Sequence, residues 1–200
     1  MRYKLLYFAL FLWTCTSVPD KLPILGDRII EQDDTSYHTI APFKYLDQDS
    51  NLITNATFKD KAYVADFFFT SCPTICPKVT RQMLRLQEAF QKDNRLQFLS
   101  YSIDYRKDSV PILKRYADKV GINGARWHLV QLKKDEVERV ANQYFSIAYE
   151  DETVAGGFDH SGRLMLVDKN GHIRAYCDGT DEQAVDEFML KIHQLLDEEG

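Results

Sequence analysis

The chain has 200 residues, 44% of them hydrophobic and 12% aromatic, which is enough to fill one core and too much for a wholly disordered protein. Lysine and arginine number 25 against 30 acidic residues, and the resulting charge of −5 argues against nucleic acid as the main partner, because such proteins carry a basic excess. Four cysteines are too few for a disulfide scaffold of this length.

At the N-terminus, Arg2 and Lys4 precede an apolar run from Leu5 to Trp13, followed by Thr14, Cys15, Thr16 and Ser17. That order is the pattern of a secretory signal, and the run is too short for a bilayer, which takes about 20 helical residues. Leu12-Trp13-Thr14-Cys15 also resembles a bacterial lipoprotein signal, in which Cys15 would be lipidated and would anchor the protein to a membrane. The plainer alternative is a short apolar run that contains a cysteine. Residues 1–14 are therefore expected to be a leader and 15–35, with Pro19, Pro23, Gly26 and an acidic end, a tether. Residues 36–200 are expected to form the domain, exported to the periplasmic side of a bacterial membrane.

Within that domain the segments 40–46 and 52–53 flank a polar turn and predict a hairpin. Tyr63 to Phe69 is nearly continuous in apolar character, as a strand covered on both faces requires. Val79, Met83, Leu86 and Phe90 recur at helical spacing, which predicts an amphipathic helix from Pro73 to about Gln91. The alternation then continues: a strand at 96–103, a helix closed by Gly121, a strand at 127–132 and a helix through Tyr144. Arg163 to Val167 and Ile173 to Cys177 flank Asp168-Lys169-Asn170-Gly171, a hairpin signal through Asn-Gly, and a last helix runs through Leu196. The pattern specifies an α/β layered domain with a mixed sheet and no internal repeat.

Phe69-Thr70-Ser71-Cys72-Pro73-Thr74-Ile75-Cys76-Pro77 falls where the buried strand gives way to a helix. Thr70 or Ser71 is placed to cap that helix, and Pro73 suits its first turn. Unpaired amides and the positive end of the helix dipole would favour thiolates here. The i, i+4 spacing lets both sulfurs converge on one ion or one bond. A structural zinc site would want four protein ligands, and the chain offers no second close Cys/His pair. Two thiolates, with or without an imidazole, suit copper and Cu(I) in particular. The inert alternative, two buried structural cysteines, leaves the flanking prolines and the strand-to-helix position unexplained.

Five histidines are available as a third ligand. His38, His172 and His193 read as solvated, and His128 as a core histidine with a backbone partner. His160 sits in the glycine-rich loop Gly156-Gly157-Phe158-Asp159-His160-Ser161-Gly162, where close backbone approach is easy, yet the loop alone does not decide the matter.

These residues resemble the Sco/SenC family, exported copper proteins of thioredoxin-like fold, over roughly 37–196. The segment 69–77 is similar to the family's F-T-x-C-P-x-x-C-P, Ser102-Ile103-Asp104 with Asp108 to its S-V-D-P-x-x-D, and Asp159-His160-Ser161 to its D-H-S. The resemblance implies a thioredoxin-like mixed sheet flanked by helices, with an added N-terminal hairpin. It implies Cys72, Cys76 and His160 as copper ligands and Asp104 as an acidic residue acting on the thiols. Two departures stand out: Tyr105 replaces the family's proline, and Cys177 is an extra cysteine whose simplest role is that of a small buried hydrophobe.

The function implied is a metallochaperone that carries Cu(I), and can hold Cu(II), to the dinuclear copper centre of cytochrome c oxidase. Loading would depend on the redox state of the two thiols and on a thiol reductant. A thiol–disulfide oxidoreductase acting on the acceptor's cysteines through Cys72 and Cys76 is the alternative, although dedicated enzymes of that class use Cys-x-x-Cys. A one-cysteine peroxidase would leave Cys76 and His160 without a joint role.

Overall fold

The computed structural model describes residues 21–31 and 34–199 of the chain. Its centre is a five-stranded mixed sheet. Strand β5 (Ala62–Phe68) runs parallel to β6 (Leu96–Ser102), and β6 parallel to β7 (Trp127–Gln131). On the other side of β5, β10 (Arg163–Val167) and β11 (Ile173–Asp178) form an antiparallel hairpin, giving the spatial order β11-β10-β5-β6-β7. All seven residues of β5 and of β6 are buried, the physical reason that both read as continuous rather than alternating apolar runs.

Among the described residues four α-helices complete the architecture: α1 (Cys76–Ala89), α2 (Val110–Val120), α3 (Val137–Gln143) and α4 (Glu182–Glu199). Helix α2 closes on Gly121, whose φ of 86° is the left-handed C-terminal stop that the sequence specified. The β10–β11 turn uses Gly171 at φ 83°, with the Asp168 carboxylate accepting the N–H groups of Asn170 and His172. The expected N-terminal hairpin is β3 (Lys44–Leu46) with β4 (Leu52–Thr54).

Two features correct the sequence reading. Over its described part, the stretch expected to be a tether is built into the domain. Strands β1 (Arg28–Glu31) and β2 (Asp34–Tyr37) pair, Leu22 is buried, and the Leu25 N–H donates to Ile173 O at 2.8 Å. The cause is Arg174, whose buried guanidinium needs acceptors and finds them in Asp168, Glu198 and the carbonyls of Leu22 and Pro23. Second, β8 (Ala148–Glu150) and β9 (Phe158–His160) form a separate antiparallel pair, so the glycine-rich loop delivers a short strand. The leader and Cys15 lie outside the described residues. No helix among the described residues is long and apolar enough to cross a membrane.

Candidate metal centre

Beyond Phe68 the chain leaves the sheet through a turn in which the Cys72 N–H donates to Phe69 O at 3.2 Å. Helix α1 begins only at Cys76, three residues later than expected, with Ile75 at its N-cap and Pro77 in its first turn. Thr70 does not cap it. Its N–H and hydroxyl both donate to Asp108, at 2.8 and 2.6 Å, and the Ser102 hydroxyl joins them at 2.6 Å. Asp108 therefore ties the cysteine turn to the loop after β6, and the helix starts where Pro77 needs no acceptor for an N–H it lacks.

His160 reaches this turn from β9, opposite Ala148 of β8. Its Nε2 lies 3.1 Å from Cys76 Sγ. The two sulfurs and one imidazole nitrogen all fall within 4.8 Å of one another, and all three residues are buried. Both cysteines are free thiols. The ring of His160 stands edge-on to Phe69 at 6.0 Å, and its Nδ1 is buried without a hydrogen-bond partner. Close approach on this side depends on Gly156: at its φ of 95°, a Cβ would lie 2.7 Å from the Phe69 ring.

The two thiols are unequal. Hydrogen bonding with Cys76 draws the Cys72 thiol down to about 3, with His160 and Thr74 adding to the effect and burial opposing it. Cys76 is pushed up, first by holding the proton for Cys72 and then by burial. Behind them, burial raises the carboxyl of Asp66 to about 6, while a hydrogen bond from the Ser100 hydroxyl opposes the rise. Chemically, the cluster is a soft donor set of two sulfurs and one nitrogen, able to hold a single ion.

The remaining candidates lie elsewhere. Asp104 is fully buried, but its Oδ1 accepts the N–H groups of Arg106 and Lys107, each at 3.1 Å, and Oδ2 has no hydrogen-bond partner. Among the described residues no hydrogen bond joins it to either cysteine, so any influence on the thiols passes through other groups. Cys177 packs in the core on β11 opposite Leu164, its thiol pushed up to about 12 by burial. His128 is a core residue whose Nδ1 faces Asp47 at 2.9 Å, a carboxylate rather than a backbone partner. His38 is half-buried, with Nε2 2.7 Å from Gln143 O and its ring against Phe145. His172 sits 3.4 Å from Asp168, and exposed His193 packs its ring on Phe90. Asp66 and Glu150 were not foreseen. A lone carboxylate inside an apolar run was the only hint of Asp66, and nothing local marks Glu150.

Comparison with known proteins agrees with this construction. The family model described as SCO1/SenC matches residues 31–197. A SCO1 protein homolog of Bacillus subtilis is 25% identical over 157 residues, spanning 78% of this chain and 81% of that protein. The crystal structure of a SCO1/SenC family lipoprotein from Bacillus anthracis superposes with a TM-score of 0.72 at 25% identity, over 79% of this chain and 95% of the other. Bradyrhizobium japonicum ScoI, solved with copper bound, shares the fold at a TM-score of 0.63 and 22% identity, over 76% and 99% of the two chains. The fold, the donor cluster and the match over 31–197 together place this chain in the SCO1/SenC family.

Proposed function

We propose that the protein is a copper metallochaperone that binds Cu(I) through Cys72, Cys76 and His160 and passes it to the dinuclear copper centre of cytochrome c oxidase. The observation that carries this reading is the convergence of the three donor atoms within 4.8 Å, with no further His, Cys, Asp or Glu donor joining them among the described residues. Two thiolates satisfy Cu(I), and the borderline imidazole nitrogen lets the same trio hold Cu(II). Low coordination leaves a side through which an acceptor's ligands enter, so transfer proceeds by ligand exchange. Exchange with a partner's disulfide would oxidise Cys72 and Cys76 to a disulfide while the partner is reduced to a dithiol, removing two ligands, and a thiol reductant would restore them by the reverse exchange. The acceptor is inferred from family likeness, and the copper-bound relative from Bradyrhizobium japonicum is consistent with the cargo. Export and attachment through Cys15 follow from the leader sequence and would set the domain on the periplasmic face.

Anaerobic titration of the reduced protein with Cu(I) tests this. One tightly held ion per chain is expected, lost when both cysteines are changed to serine and held more weakly in His160→Ala. Equal copper retention by the doubly substituted protein would overturn the reading.

The unequal thiols favour a second role, thiol–disulfide exchange. The Cys72 thiolate would attack a substrate disulfide, and Cys76 would then close on the mixed disulfide, releasing the substrate as a dithiol and leaving Cys72–Cys76 oxidised. Rapid turnover of a model disulfide by His160→Ala, with copper affinity unchanged, would make this the primary activity.

A further inference from the structure

We propose that Tyr105, Arg106 and Glu150 are positioning residues that clamp the β8–β9 hairpin so as to present His160 to the sulfur pair. The clamp would set the protein's hold on Cu(II) more than on Cu(I). This rests on the copper reading above.

The hairpin is a two-stranded sheet of its own, not hydrogen-bonded as a strand to the five-stranded sheet that leads into the cysteine turn. The backbone ties its His160 end to β10 through Ser161 and Gly162, whose carbonyl accepts the Gly179 N–H at 3.0 Å, so side chains are left to fix the end that carries Glu150 and Phe158. The imidazole contributes little to its own orientation, since Nδ1 has no hydrogen-bond partner where a metal-ligating histidine ordinarily has one.

Glu150 fixes the strand beside it rather than the ring itself. It stands opposite Phe158 in the β8–β9 register, two residues before His160. Its carboxylate accepts the Tyr105 hydroxyl at 2.9 Å and Arg106 Nη1 at 2.8 Å, and lies 3.2 Å from Lys134 Nζ. The same two residues hold Phe158: the Arg106 guanidinium lies 4.9 Å from the ring centre, and the Tyr105 ring meets it edge-on at 6.0 Å. Phe158 in turn packs on Phe69 of the cysteine turn at 5.5 Å.

The clamp is anchored at its other end by Asp104, which accepts the Arg106 N–H and whose backbone carbonyl receives Gln131 Nε2 at 3.1 Å. Asp104 thus reaches the site through Arg106 and the histidine strand. Tyr105, the residue that departs from the family pattern, contributes both the hydroxyl and the ring. Two soft thiolates supply most of the hold on Cu(I), with the nitrogen a weaker third donor, whereas Cu(II) depends on the nitrogen, so loosening the clamp should weaken the two oxidation states unequally.

The test uses the full chain, reduced, with copper ions alone as the probe. Cu(I) affinity is read by chelator competition and the Cu(II) complex by its visible and electron paramagnetic spectra. Glu150→Ala is expected to weaken Cu(II) by about tenfold or more and to alter its spectrum, while Cu(I) affinity changes by less than about threefold. Tyr105→Phe keeps the ring and should give a smaller shift of the same kind; it decides the matter if Glu150→Ala does not fold. Arg106→Lys, which keeps the charge, should recover part of what Arg106→Ala loses. Unchanged Cu(II) affinity and spectrum in Glu150→Ala and Tyr105→Phe, or equal weakening of both oxidation states, would overturn the clamp. Copper binding that ignores His160→Ala in both oxidation states would instead overturn the reading of the site on which the clamp rests.

Discussion

His128 and His160 are buried to nearly the same extent, 6% and 5% exposed, and each faces one partner across more than 80 residues of chain. Around His128 the polar groups are paired. Asp47 accepts its Nδ1 and the N–H groups of Asp49 and Asn51, and Gln48 bonds Trp127 O and Leu129 N–H, stitching the β3–β4 turn to β7. Around His160 the pairing is incomplete, with one nitrogen against a thiol and the other without a partner. A buried polar atom left unpaired costs about 1–3 kcal/mol. Asp104 Oδ2 is unpaired as well, so what sets His160 apart is that its other nitrogen lies with two sulfurs.

The largest effect expected on this contrast comes from a third buried polar group, Asp66, which lies on β5 opposite Ser100. Burial raises its carboxyl from 3.8 to about 6. The folded state therefore binds the proton more tightly than the unfolded one. The stability this contributes is full below pH 3.8 and is lost as pH rises through 6, a loss of about 3 kcal/mol by pH 7. Denaturant unfolding of Asp66→Asn should show that difference in its favour at pH 7 and parity near pH 3.5; a constant difference across pH would refute the assignment.

His160→Ala should cost at least about 100-fold in Cu(II) affinity, beyond what loss of an outer partner produces, while the unfolding free energy moves by less than about 1 kcal/mol. The reverse is expected for His128→Ala: about 2 kcal/mol of stability lost as Asp47 loses a buried partner, with copper affinity within about threefold of the parent. If the two variants behave alike, partner accounting does not separate a structural histidine from a ligand. The smallest effect, about 1–2 kcal/mol, is expected for Gly156→Ala, whose Cβ meets the Phe69 ring in a left-handed backbone. Thermal unfolding measures it, and an unchanged midpoint would show that the loop yields.

Much of this was legible in the chain. The buried strands, the Gly121 stop and the Asn-Gly hairpin follow from local pattern and turn chemistry, and all are present. The start of α1 was misplaced because Thr70, a plausible cap by sequence, is claimed by Asp108, 38 residues away. The tether was misread because proline and charge predict a linker, whereas Arg174, 152 residues beyond Leu22, supplies the contact that docks it. The β8–β9 pair escaped notice because three-residue strands carry no period.

By itself the sequence determined that two cysteines stand where a buried strand gives way to a helix, and the α/β alternation around them, since both depend on neighbours within a few residues; that Cys72 meets Cys76 from a turn ahead of the helix was not part of it. Only the tertiary structure decided that His160 arrives from 84 residues away, that Asp104 stands back from the thiols, and that Tyr105 grips Glu150. Hydrophobic periodicity records which face of an element is buried. It does not record which distant polar groups meet once those faces close, and in this protein those meetings build the site.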